Sequence, residues 1–374
     1  MSDVAIIFGG PSPEHDVSVL TGLQAARELA GSSPVRALYW SKEGSWFEVP
    51  ADLEAAAFVD GVPRQASPLR LVVGPGGGFF AEGGRFGRPR PFDLEVAVVC
   101  CHGGPGEDGT LQAALDLAGL PHTGPTVASA ALGMDKLAFA GLVHLAGLPS
   151  LPRVALGHDT ADLGFDGPFI VKPRFGGSSI GIEVVADLAT ARAQLAVNPH
   201  WAGGAVVEPY RADFFDLQIA VRSWPEPALS AVERPLRTPR AGGLAGEPAI
   251  LGYADKYVGG EGMASAPREL PARIPEALHA AVRDAASALV GLGLVRGVAR
   301  IDFLTDGRDL VVNEINTIPG SLARYLWVDP PVPFGRLLAD LIAEAKARPS
   351  WDYRARGADG TVLRGASSIA AKLA

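Results

Sequence analysis

The stretch "VKPRFGGSSIG" (171–181) places Lys172 ahead of a turn made of two glycines and two serines, with the apolar runs "FIV" and "IEVV" on either side. Two extended runs around a Gly/Ser turn read as a β-hairpin. The glycines let backbone amides come close to anionic oxygens, and Ser178 and Ser179 add hydroxyl donors, which is what cradling a phosphate requires. This is not a Walker A loop, because the lysine precedes the glycines and no helix follows directly. Taken alone, the turn does not separate a phosphate cradle from an ordinary hairpin.

Upstream, "VAIIFGG" (4–10) is an apolar run ended by glycines, and Val17, Leu20, Leu23, Ala26 and Leu29 then recur at helical spacing. Strand, Gly-rich turn and helix open an α/β unit. "ALYWSKEGSWFEV" reads as an extended pair about a Glu-Gly turn, and "FDLEVAVVCCHGG" (92–104) as a buried parallel strand. "GTLQAALDLAGLPHTG" (109–124) is a helix stopped by Gly119 and Pro121, and the spacing predicts helix over 125–158, broken at Gly147 and Pro149. "AVVEPY" (205–210) and "DLQIAVRSW" (216–224) are strands, and 274–294 is a helix. The segment 236–262, rich in Gly and Pro, is a loop of the length that lids have.

A chain of 374 residues exceeds one core and fits two or three domains with clefts between them. The net charge of -8, without long runs of like charge, argues against a nucleic-acid or anionic-membrane surface. The first residues lack a secretory pattern and no apolar run is long enough to span a bilayer, so a cytoplasmic location is expected. Cys100 and Cys101 are adjacent, have no histidine at ligand spacing, and read as plain strand-end residues.

Near the end, "GVARIDFL" and "LVVNEIN" are joined by "TDGRD", where Asp-Gly marks a hairpin turn. If the hairpin folds symmetrically about residue 308, Asp302 faces Glu314 and Arg300 faces Asn316, all four on one side. Opposed acids repel unless a cation lies between them, and Asn with carboxylates suits Mg²⁺. A solvated hairpin face fits the same pattern equally well.

With Lys136 in "GMDK", Glu208 in "VVEPY" and this hairpin, the chain resembles the ATP-grasp enzymes, and within them the D-alanine–D-alanine ligase family. The resembling stretches are "FGGPSPEHDVS" (8–18), "HGGPGEDGTLQ" (102–112), "GMDK" (133–136), "VKPRFGGSSIG" (171–181), "ADKY" (254–257), "ARID" (299–302) and "NEINTIPG" (313–320), in family order. The resemblance implies an N-terminal parallel-sheet α/β domain (1–126) and the two α+β domains of an ATP-grasp clamp (127–212 and 213–349). The lid would be 236–262, and 350–374 a tail beyond the usual end. The implied reaction is ATP-dependent joining of two D-alanines through an acyl phosphate, for peptidoglycan precursors, with two Mg²⁺ ions or Mn²⁺ in their place. Relatives suggest a homodimer.

By the same resemblance, Asp302, Glu314 and Asn316 are metal ligands. Lys136, Lys172 and Ser179 contact ATP phosphates, Lys256 also binds ATP, and Glu208 and Asp216 bind adenine and ribose. Glu14 binds the first ammonium, and Ser178 and Tyr257 link the Gly/Ser loop and the lid to it. Arg300 and the Gly320 amide meet the oxyanion, and His102, Ser321, Tyr325 and Leu326 lie at the substrates. Tyr325 stands where the family has a serine near the acceptor's carboxylate. An ATP-grasp ligase with another amino acid or a hydroxy acid as acceptor, in a specialised pathway, is the rival reading. A nucleotide-binding regulator without activity fits poorly with both lysines, Arg300 and all three ligands in place.

Overall fold

Val4–Phe8 is apolar at every position and fully buried, as a strand covered on both faces must be. It forms the centre of strand β1 (Asp3–Gly9), which pairs in parallel with β2 (Val35–Trp40) on one side and β7 (Leu94–Val99) on the other. The computed structural model describes residues 3–82, 87–236, 267–350, 357, 360–364 and 368. The lid loop beyond Leu236, with Lys256 and Tyr257, and most of the tail lie outside these residues.

Helix α1 (His15–Ala30) follows β1 and lays Val19, Leu23 and Ala26 on the sheet. The expected parallel sheet is a mixed one: β3 (Trp46–Val49), β4 (Ser67–Val72), β5 (Gly78–Ala81) and β6 (Arg90–Pro91) extend β2 as an antiparallel meander. Helix α2 (Thr110–Ala118) ends on Gly119, whose φ of 71° is the left-handed conformation of a helix stop. Cys100 and Cys101 are buried and unbridged, and burial pushes both thiols up.

The helical reading of 125–158 needs correction in two places. Asp135 splits the helix into α3 (Val127–Met134) and α4 (Lys136–Leu145), capping the second by accepting from the Leu137 and Ala138 amides. Val154–Leu156 is a strand, β8, because its backbone pairs with Ala205–Val207. It joins an antiparallel sheet ordered β10–β9–β11–β8, with β9 (Phe169–Pro173), β10 (Glu183–Val185) and β11 (Ala205–Pro209). The Gly/Ser hairpin is therefore β9–β10, with Val171 opposite Glu183.

The third sheet is antiparallel, ordered β14–β13–β12–β15–β16, from β12 (Phe215–Arg222), β13 (Ala228–Pro235), β14 (Arg268–Glu269), β15 (Val298–Thr305) and β16 (Leu310–Asn316). The helix Glu276–Gly291 covers it with Leu278, Val282, Ala286 and Leu289. After β16 the chain returns to the first unit, where Ile318, Leu322, Leu326, Leu337 and Leu341 join the core of the N-terminal sheet. Among the described residues no helix is long and apolar enough to cross a membrane.

Candidate active site

The Gly/Ser turn meets the start of α4. Asp135 takes the Arg174 guanidinium on both oxygens, the Lys136 amide donates to the Arg174 carbonyl at 3.1 Å, and the Lys136 ammonium donates to the Gly176 carbonyl. Lys136 is thus buried at the first position of a helix, aimed at the turn; burial lowers its pKa, with Glu314 acting the other way. Ser178 and Ser179 have φ of 54° and 59°, a strained region for residues other than glycine and one that gathers at functional loops. The other non-glycine residues with positive φ among those described are Ser321, Leu322 and Ala323. Two of the five lie in the Gly/Ser turn, and the other three directly follow "NEINTIPG".

Lys172 and Glu208 sit on neighbouring strands, and Glu208 is 1% exposed. Lys172 Nζ donates to Glu208 at 2.9 Å, and Arg153 Nε lies 2.6 Å from the other carboxylate oxygen. Burial works against the charged carboxylate, yet the two cations bring its pKa below the usual value. Glu208 is therefore the counter-ion that fixes Lys172. Arg153, missed from the sequence, also donates to the Lys136 carbonyl at 2.6 Å and the Asn313 carbonyl at 3.2 Å.

In the β15–β16 hairpin, Arg300 pairs with Asn316 and Asp302 with Glu314, as the symmetry about residue 308 predicts. Nearer the turn Phe303 pairs with Val312, so Asn313 is an extra, bulged residue. The bulge presents its side-chain oxygen to Lys172 at 3.2 Å. Arg300 Nε and Nη2 donate to the two oxygens of Asp302 at 2.7 and 2.8 Å, and Asn316 Nδ2 donates to Asp302 at 3.1 Å. Among the described residues no three His, Cys, Asp or Glu side chains gather for a metal. The patch instead offers two carboxylates and an amide, a hard-oxygen set suited to Mg²⁺-like ions.

Lys136, Lys172, Ser179, Glu208, Asp216, Asp302 and Glu314, among others, line one cleft between the second and third sheets.

The N-terminal unit reaches the cleft through Glu14, which accepts from the Ser178 hydroxyl. Gly103 lies so close that a Cβ there would sit 2.3 Å from the Glu14 carboxylate, and its φ is 63°. His15, beside Glu14, is structural: its ring nitrogens meet the Gly10 carbonyl at 2.7 Å and the Tyr39 hydroxyl at 3.1 Å.

His102 is 3% exposed, with Nδ1 2.7 Å from the Ile318 carbonyl and Nε2 2.8 Å from the Thr21 hydroxyl. Burial pushes its pKa down to about 4, so it is neutral and binds the turn after β16. Ser321 donates its amide to Thr21 at 2.9 Å. The Leu326 side chain is wholly buried in the core, and the Tyr325 hydroxyl is sealed from solvent beside the Arg300 guanidinium. The Arg268 guanidinium covers the Tyr325 ring at 4.9 Å.

Family models for the D-ala D-ala ligase N-terminus and C-terminus match residues 3–125 and 137–343. The chain belongs to the D-alanine–D-alanine ligase family. Relatives named D-alanine–D-alanine ligase are 30% identical in Bradyrhizobium sp. (strain ORS 278), over 92% of this chain and 95% of theirs, and 33% in Methylobacterium sp. (strain 4-46), over 92% of both. Among solved structures, D-alanyl-alanine synthetase A from Vibrio cholerae superposes with TM-score 0.75 at 20% identity, covering 92% of this chain and 98% of that one. VanG D-Ala:D-Ser ligase from Enterococcus faecalis does so with TM-score 0.70 at 23% identity, covering 92% and 99%. At these identities the superpositions establish the shared ATP-grasp fold. As a member of the ligase family the chain is an enzyme, and the family uses ATP.

Proposed function

We propose that this ligase joins two D-alanines, phosphorylating the carboxylate of the first with ATP and passing the acyl group to the amine of the second, to supply peptidoglycan precursors in the cytoplasm. The observation that carries this reading is the meeting of the buried lysines, the Gly/Ser turn, Asp302 and Glu314 in one cleft, with Arg300 and Asn316 paired next to the two acids on the β15–β16 hairpin. Phosphoryl transfer rests mainly on positioning and on neutralising charge, and the cleft supplies both.

In this reading Lys136, Lys172 and Ser179 hold phosphate oxygens, and Asp216 meets the nucleoside. Glu208, which lines the same cleft, meets the nucleoside as well and also fixes Lys172. Glu14, steadied by Ser178, takes the donor's ammonium. Asp302, Glu314 and Asn316 would hold two Mg²⁺ ions, which when bound neutralise phosphate charge. Arg300 and the Gly320 amide oppose the charge of the tetrahedral oxyanion, a donor of this kind being worth about 10²–10³ in rate. The reading divides the chain into 1–126, 127–212 and 213–349, with Ser321, Tyr325 and the Leu326 backbone at the acceptor.

One observation favours a second reading, in which the donor chemistry is the same and the acceptor differs. By the resemblance Tyr325 stands where the family has a serine, and its sealed hydroxyl feels the charges of Arg300, Glu233 and Asp302. A solved structure with this fold is, by its name, a D-Ala:D-Ser ligase.

The acyl-phosphate route is tested with D-alanine carrying ¹⁸O in its carboxylate. The released phosphate should gain one ¹⁸O for each dipeptide formed. Dipeptide without label in the phosphate would rule out carboxylate phosphorylation.

A further inference from the structure

Glu107 is a buried carboxylate to which no role falls in the reading above. One oxygen accepts the Ile318 amide at 2.9 Å, with the Thr317 hydroxyl at 3.4 Å, and the other accepts the Gly103 amide at 2.9 Å. It therefore bridges the loop after β7 to the turn after β16. His102 and Thr21 grip the same turn. A neutral His102 that donates from Nδ1 to the Ile318 carbonyl has Nε2 as an acceptor, so Thr21 donates to it and uses a lone pair for the Ser321 amide.

These three side chains bracket a short piece of backbone. Glu107 and His102 fix both polar groups of Ile318, Thr21 fixes the amide of Ser321, and between them lie only Pro319 and Gly320. The turn needs holding, because Ser321, Leu322 and Ala323 are in left-handed backbone at φ 50°, 49° and 51°. All three anchors belong to the N-terminal unit, which also clamps the opposite loop through Glu14 and Ser178.

We infer that Glu107, with Thr21 and His102, is a positioning residue that sets the direction of the Gly320 amide, and so governs the acyl-transfer step more than nucleotide binding. This rests on the proposed ligation. The ionised carboxylate accepts both amides, whereas the protonated form turns an O–H toward one of them. Burial, with Glu14 next, raises the Glu107 pKa to about 7, so the grip weakens as pH falls through neutrality. The other charged groups lining this space are Glu14, Lys136 and Glu314, and His102 stays neutral throughout.

The test compares the full-length protein with Glu107→Gln and Thr21→Val. Glutamine offers one acceptor and turns its NH₂ against the second amide. Expected for Glu107→Gln are a fall in dipeptide kcat of about 10²-fold, an unchanged Kd for a non-hydrolysable ATP analogue, and faster hydrogen–deuterium exchange across 313–326. The rise of kcat through about pH 7 should vanish in Glu107→Gln and persist in Thr21→Val, which should otherwise behave alike. Wild-type kcat and exchange in Glu107→Gln, or an intact pH limb, overturns the inference. If Glu107→Gln does not fold, Thr21→Val decides: unchanged exchange and kcat there overturn it. Exchange requires no turnover, so a wild-type protein inactive with D-alanine counts against the proposed ligation while this measurement still decides the positioning claim.

Discussion

Glu314 faces Asp302 across the β15–β16 pair, where two acids tolerate each other only with cationic neighbours. Lys136 and Arg300 supply part of that charge, and the proposed metal ions supply the rest. Glu314→Gln keeps the size and removes the charge, and should reduce phosphate release in the presence of Mg²⁺ to background; unchanged release would remove Glu314 from the metal set. At this scale the sequence was legible in the facing of "NEIN" and "ARID" across the hairpin. It was silent on Arg153, Glu107 and Thr21. Each acts through a group far along the chain: Arg153 on Glu208 and Asn313, Glu107 on Ile318, and Thr21 on Ser321. Nothing local to a lone arginine in "LPRVAL" announces a buried counter-ion.

Asp135 shows how one residue ends a helix, begins another and sets the side chain of Lys136. It caps α4, pairs with Arg174 and so delivers Lys136 to the Gly/Ser turn. Asp135→Ala should cost about 0.5–2 kcal/mol of stability by urea titration, the range for losing such a cap, and should weaken ATP binding through Lys136. Burial opposes its charge, but Arg174 and the helix amides hold its carboxyl below the ordinary value. The stabilisation is therefore full above the usual carboxylate range and is lost as pH falls through the depressed value. The helical periodicity of 125–158 concealed both this break and the three-residue strand β8, whose only signal is its backbone pairing. The hairpin arithmetic succeeded for a reason the sequence does not show. The turn itself is offset by one from symmetry about 308, and the bulge at Asn313 restores the register where the site begins.

At the scale of the molecule, the chain's order along its length differs from its order in space. Residues after β16 return to the core of the N-terminal sheet, so the turn carrying Gly320 is attached to two units at once. The resemblance puts Ser321, Tyr325 and Leu326 at the substrates, but a side chain in a core and one lining a pocket look alike in sequence. The structure assigns Leu322, Ala323 and Leu326 to the core. Tyr325 remains beside Arg300, where the proposed acceptor site would lie. The most direct measurement is phosphate release from ATP with D-alanine alone, and then with D-alanine paired with other amino and hydroxy acids, each product weighed by mass spectrometry. Strong release with D-alanine alone, yielding the D-alanyl-D-alanine dipeptide, is the predicted result. No release with D-alanine alone, but turnover with a mixed pair, would contradict it and assign the site to a different acceptor.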